Sequence, residues 1–123
     1  MNIAAISLSV LLALASLGAG TPKALLKGDV PTQLHQHMNL SFGLIRFIGL
    51  AEVAAAAGLI IGIWWRPLGI AAAIGMAVLL IAATGYHAKA GDYADPEQRG
   101  GAMAPVFLAL IAIGAAVTLS LTL

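Results

Sequence analysis

The sequence predicts an all-α integral membrane protein, four antiparallel helices packed as one bundle, and three observations carry that prediction. Hydrophobic residues make up 61% of the 123-residue chain and charged residues 9%, with a mean hydropathy of +1.00; soluble domains run at roughly 45–50% apolar and about 25% charged. Six basic and five acidic side chains cannot cover the surface of a soluble fold. The apolar residues also fall into four runs, 3–19, 40–63, 68–83 and 106–123, and about 20 helical residues cross a hydrocarbon core of about 30 Å. Finally, the runs are continuous, whereas a membrane β-barrel needs strands that alternate. The lipid bilayer is therefore the expected partner. A formal charge of +1 offers no basic face for nucleic acid. The absence of cysteine excludes disulfides, thiolate-ligated clusters, Cys-attached haem and a Cys nucleophile.

The elements follow in order within a single domain, 1–123. The first helix is expected over 2–20, ended by Gly18, Gly20 and Pro22. No basic residue precedes it and its apolar run is long for a signal peptide, so it is expected to be retained as a span. In loop 1, 21–37, Ala24, Leu25 and Leu26 between Lys23 and Lys27 read as a short amphipathic interfacial segment. The second helix is expected over 38–63, with an early start near Thr32 that lets His35, Gln36 and Asn39 project beyond the membrane. Trp64, Trp65, Arg66 and Pro67 suit a membrane interface and a tight hairpin, with Pro67 in the first turn of a third helix over 67–87. The polar stretch 91–101 forms loop 3, and the fourth helix is expected over 104–123. Loops 1 and 3 share a side carrying Lys23, Lys27, Lys89 and Arg99, against Arg66 alone on the other. The positive-inside rule puts those loops in the cytoplasm.

Glycine is frequent, with 14 residues, many inside the runs. Gly58 and Gly62 form a GxxxG pair, which has two readings: close packing within the bundle, or the seam of a homodimer.

The intramembrane polar residues carry whatever chemistry exists. Arg46 and Glu52 are the only charges inside an apolar run, and such charges usually face the bundle interior. Counted back from Ile63, Glu52 lies about 16 Å deep and Arg46 about 25 Å deep, near the loop 1 and loop 3 interface. The neighbouring helices offer Glu52 only hydroxyls (Ser7 or Ser9, and Thr118), so the carboxyl is expected to be neutral. One helical stripe joins His35, Asn39, Phe42 and Arg46. With Tyr86, His87 and Asp92 it predicts a polar mouth, and the candidate ligand-binding residues are Glu52, Arg46, His87, Asn39, Tyr86 and His35. His35 and His37, two apart on a helix, point away from each other, so no metal site is read, and no bis-His haem. No catalytic triad or phosphate-binding loop appears.

Three segments carry a further resemblance: Gly49-Leu-Ala-Glu52-Val-Ala-Ala-Ala-Ala-Gly58-Leu, then Trp65-Arg66-Pro67-Leu-Gly69-Ile-Ala-Ala, then His87-Ala-Lys-Ala-Gly91-Asp92. They resemble the DoxX-like family of small bacterial membrane proteins, and Pro22-Lys23 after the first helix is also similar. The resemblance implies a four-helix bundle in the bacterial inner membrane. It singles out Glu52, His87 and Arg66, and it suggests a partner in a membrane redox complex or a role in assembling other membrane proteins. The family name traces to a subunit of a thiosulfate:quinone oxidoreductase.

Three functions stand against one another at this point. The first is a non-enzymatic subunit that binds a lipid- or quinone-like ligand, with quinone or lipid as the cofactor-like guest. The second is a membrane subunit of a quinone-linked oxidoreductase, or an assembly and scaffold factor. The third, a proton-coupled small multidrug transporter, places its glutamate in the first helix, where this chain has no charge.

Overall fold

A computed structural model describes residues 2–121. Five helices follow one another: α1 (Ile3–Leu25), α2 (Asp29–His37), α3 (Phe42–Ile61), α4 (Arg66–Lys89) and α5 (Arg99–Leu121). All but α2 are long and apolar enough to cross a membrane. The last two residues of the expected fourth helix, 122 and 123, lie outside the described residues.

The termini of these helices are set by short-range chemistry. Asn2 Oδ1 accepts from the Ala5 amide at 2.8 Å and Ser41 Oγ from the Leu44 amide at 3.1 Å; both are side-chain N-caps. Pro67 occupies the first turn of α4, where its missing N–H costs nothing.

The first helix departs from the expected boundary. It does not stop near Gly20 but runs through Pro22 to Leu25. Proline removes only the bond to residue 18, and the close packing of this segment on α3 holds the last turn. The helix then ends with Leu26 in the left-handed region (φ 53°), its amide on Lys23 O and the Lys27 amide on Pro22 O, which is the Schellman pattern. The segment 24–26 is thus the end of a membrane helix and not a separate interfacial one.

Loop 1 does contain a helix, but farther on, at α2. The expected continuous helix from Thr32 is broken, because Asn39 adopts φ 57° and Ser41 starts a new helix. Asparagine tolerates that conformation, and a left-handed residue followed by an N-cap is a stop and a start. At the other end of the chain, α5 begins at Arg99, ahead of the expected residue 104, and carries Pro105 inside it.

The four long helices close into a ring. The most extensive contacts join α1 to α3 and α4 to α5; the seams α3–α4 and α1–α5 are thinner. Ring neighbours run antiparallel. The core is built of small and medium side chains, Leu12, Ala13, Ala56, Leu59, Ala73 and Met76 among them. In lipid, close approach and dispersion must replace the hydrophobic drive between helices.

Glycines set the closest approaches. A methyl placed on Gly49 would lie 2.3 Å from Ala24 N and 2.6 Å from Gly20 O, and one on Gly62 would lie 2.3 Å from Gly69 Cα. Gly58 faces Ala72 of the same chain, 3.0 Å from an added Cβ. The GxxxG pair is therefore spent on the α3–α4 hairpin. Of its two readings, the structure shows the close packing within the bundle.

Candidate functional site

The tight glycine contact holds α3 against α4 at the Trp64–Trp65 end. Toward the loop 1 and loop 3 end, the two helix pairs part around a cavity of about 430 Å³. Its walls are mostly apolar, with Ile48, Leu79, Leu80, Ala83 and Leu108 among them, and α2 contributes Val30 and Leu34. Two polar centres border this space.

The first centre is the pair Lys23–Glu52. Lys23 Nζ donates to Glu52 Oε1 at 2.8 Å, and Glu52 is 3% exposed. Three local facts bring them together. The unbroken helix through Pro22 keeps Lys23 on the face of α1 that meets α3. Gly20 and Gly49 let the two backbones touch. In both helices the Cα–Cβ bonds tilt toward the N-terminus, so in antiparallel neighbours Lys23 leans inward and Glu52 leans toward it.

This overturns the expectation that Glu52 has only hydroxyl partners. Thr118 Oγ1 donates to Gly114 O of its own helix at 2.9 Å. Among the described residues Ser9 Oγ, which is buried, has no hydrogen-bond partner, and Ser7 is exposed. Lys23 is the group that the sequence reading assigned to a loop.

The second centre is Asp92, 1% exposed. His37 Nε2 donates to its Oδ1 at 2.5 Å and His87 Nδ1 to its Oδ2 at 2.5 Å. The end of α4 explains the placement. Gly91 takes φ 77°, its amide bonds Ala88 O, and the Asp92 amide bonds His87 O at 3.0 Å. This second Schellman turn folds Asp92 back over the last turn of α4, next to His87. Burial works to raise the carboxyl's pKa, but the two imidazole hydrogen bonds and the charges behind them outweigh it, holding Asp92 below the ordinary aspartate range. The cluster ties α2, α4 and loop 3 together. It borders a second hollow of about 380 Å³, lined also by Gln33, Gln36 and Gln98.

The other predicted site residues fall in different places. Glu52, Tyr86 and His87 line the larger cavity, while Arg46, Asn39 and His35 are not among its walls. Arg46 is exposed, and its Nε donates to Ala24 O at 3.0 Å, satisfying a carbonyl in the last turn of α1. His35 Nδ1 donates to Leu40 O at 2.7 Å and its ring stacks on Phe42. Asn39 is the exposed turn between α2 and α3. The single polar mouth of the sequence reading is thus divided. His87 and Asp92 belong together, and their third member is His37, not His35. The i, i+2 spacing that separates the two histidines is what sends one to Asp92 and the other to the α2–α3 turn. Among the described residues, no group of three or more His, Cys, Asp or Glu side chains is disposed to hold a metal ion.

No curated protein and no solved structure matches the chain. A protein family does. Its description is the DoxX-like family and the match covers residues 7–115, which takes in the Lys23–Glu52 pair, the glycine hairpin and the Asp92 cluster. This small multi-span membrane protein belongs to the DoxX-like family.

Proposed function

We propose that this protein is a non-catalytic binding bundle that takes up one amphiphilic small molecule, lipid- or quinone-like, in the cavity between its helix pairs. The observation that carries the reading is the cavity itself. Its volume of about 430 Å³ falls in the range of small-molecule sites, roughly 300–1,000 Å³. Its lining has the composition of such sites, a broad apolar wall with a few convergent polar groups, here Lys23, Glu52, Tyr86, His87 and Gln98. An apolar tail fits among Ile48, Leu79 and Leu108, with the head near Glu52.

The test is native mass spectrometry of the gently extracted protein, with the released small molecules identified. The expected result is one amphiphile per chain in the wild type and its loss in Gly18→Leu. That glycine borders the cavity, and an added Cβ there meets nothing within 4 Å, so the larger side chain fills space without a clash. A wild-type chain that is empty, or adducts equally abundant in Gly18→Leu, overturns the reading.

A further inference from the structure

The cavity lining contains backbone chemistry as well as side chains. Two prolines stand inside membrane helices, Pro22 in α1 and Pro105 in α5. Each follows a glycine by four residues, Gly18 and Gly101 respectively. Proline has no N–H, so the carbonyls of Gly18 and Gly101 lack the donor that an α-helix supplies. All four residues line the cavity. Neither glycine has a side chain to shield its own carbonyl, and both residues are exposed. Freed carbonyls are tolerated where they border a cavity or water, and each is a strong acceptor.

The charge of the lining is the second, independent observation. Lys23 and Glu52 are the only Lys, Arg, Asp or Glu side chains among the described residues of the wall, and they lie 2.8 Å apart, so they cancel; His87, also in the wall, is paired with Asp92 behind it. A charged head group brought here adds a charge without a counterion against a mostly apolar wall, which is unfavourable. An uncharged head adds none.

Resting on the binding reading above, we propose that the cavity selects a single-chain amphiphile whose head group is uncharged and donates hydrogen bonds, a hydroxyl or amide head, with the Gly18 and Gly101 carbonyls as its acceptors. The Lys23–Glu52 pair forms a neutral polar wall beside that head. The two prolines, one in α1 and one in α5, then have a common purpose: each exposes one acceptor.

The experiment uses four probes with the same sixteen-carbon tail: 1-hexadecanol, hexadecyl methyl ether, hexadecyl sulfonate and hexadecyltrimethylammonium. Each is doped at equal mole fraction into phosphatidylcholine nanodiscs holding the full chain, and adducts are counted by native mass spectrometry after correction for partition into empty discs. Hexadecanol is expected to exceed each of the other three by about tenfold or more, the effect of one hydrogen bond to a freed backbone acceptor or one uncompensated charge. In Pro22→Ala/Pro105→Ala, which restores both amide donors, the alcohol-over-ether ratio is expected to fall toward one. The thermal midpoint should not fall with it, since alanine is the better helix residue. An ether that binds as well as the alcohol in the wild type, a charged probe that binds better, or a ratio unchanged in the double variant overturns the head-group assignment while leaving the binding reading in place. If none of the four probes binds, the binding reading itself fails.

Discussion

A lysine and a glutamate buried together constrain each other more than they stabilise the fold. Taking both charges out of water costs several kcal/mol, and their attraction returns it only when the geometry is good. The Lys23–Glu52 contact at 2.8 Å meets that condition, so the large effect lies in breaking one half. Glu52→Gln is expected to lower stability in detergent by about 1–3 kcal/mol, less than for a fully buried pair because the Lys23 side chain is 16% exposed. Lys23→Met/Glu52→Leu, which removes both charges, is expected to recover most of that loss. Unfolding of wild type, Lys23→Met, Glu52→Leu and the double variant by a denaturing detergent measures the coupling, and a single variant as stable as wild type would show that the pair is not made. Glu52 was legible in the sequence as a charge in an apolar run, yet its partner was not. Pro22 looked like the end of a helix, which moved Lys23 into a loop and out of reach. The sequence does hold the missing signal, since Ser9, Ser16 and Lys23 repeat every seven residues and share one face of α1 once that helix is continued. His37 escaped for a similar reason: its partner Asp92 is set by the left-handed turn at Gly91, a long-range consequence of a local glycine.

Among the elements, the α1–α3 crossing determines whether the site exists at all. Gly49 is the point of closest approach, and its replacement by alanine places a methyl 2.3 Å from Ala24 N and 2.7 Å from Lys23 Cβ. Backbone cannot yield as a flexible side chain does, so the helices must separate. Gly49→Ala is expected to cost about 1–3 kcal/mol, as overpacking does, and to reduce ligand adducts in parallel because Lys23 is carried away from Glu52. Gly75→Ala is the control, since a Cβ there meets nothing within 4 Å. It should be neutral or stabilising by up to about 1 kcal/mol from helix propensity. Thermal unfolding in one detergent compares them, and equal midpoints would remove the glycine crossing as the cause of the pair. The four long helices were legible because twenty-residue apolar runs are the strongest pattern a membrane sequence carries. Their ends were less so: membrane packing carries α1 past Pro22 and α5 back to Arg99, while Asn39 and Ser41 divide what the apolar periodicity alone joined.

At the scale of the whole molecule, charge placement gives the bundle a direction in the membrane. Lys23 is spent on Glu52, so the accessible basic groups at the cavity end are Lys27, Arg46, Lys89 and Arg99, all exposed. At the opposite end Arg66 stands alone beside Trp64 and Trp65, which are 81% and 60% exposed and suit a headgroup layer. By the positive-inside rule the cavity end, with α2 and the Asp92 cluster, is expected on the cytoplasmic side. In that orientation, the ligand proposed above would enter past α2 from the cytoplasm or the inner leaflet. The native chain contains no cysteine, which permits a clean measurement with single introduced thiols. In intact cells a membrane-impermeant maleimide is expected to label Trp64→Cys and to leave Gln36→Cys unlabelled until the membranes are inverted. Reversed labelling would place the cavity end outside. Labelling of both in intact cells would mean that four surface charges against one do not suffice and that the bundle inserts both ways. Adding Lys at position 36 should then restore a single orientation, because the rule counts basic residues close to the ends of the spans.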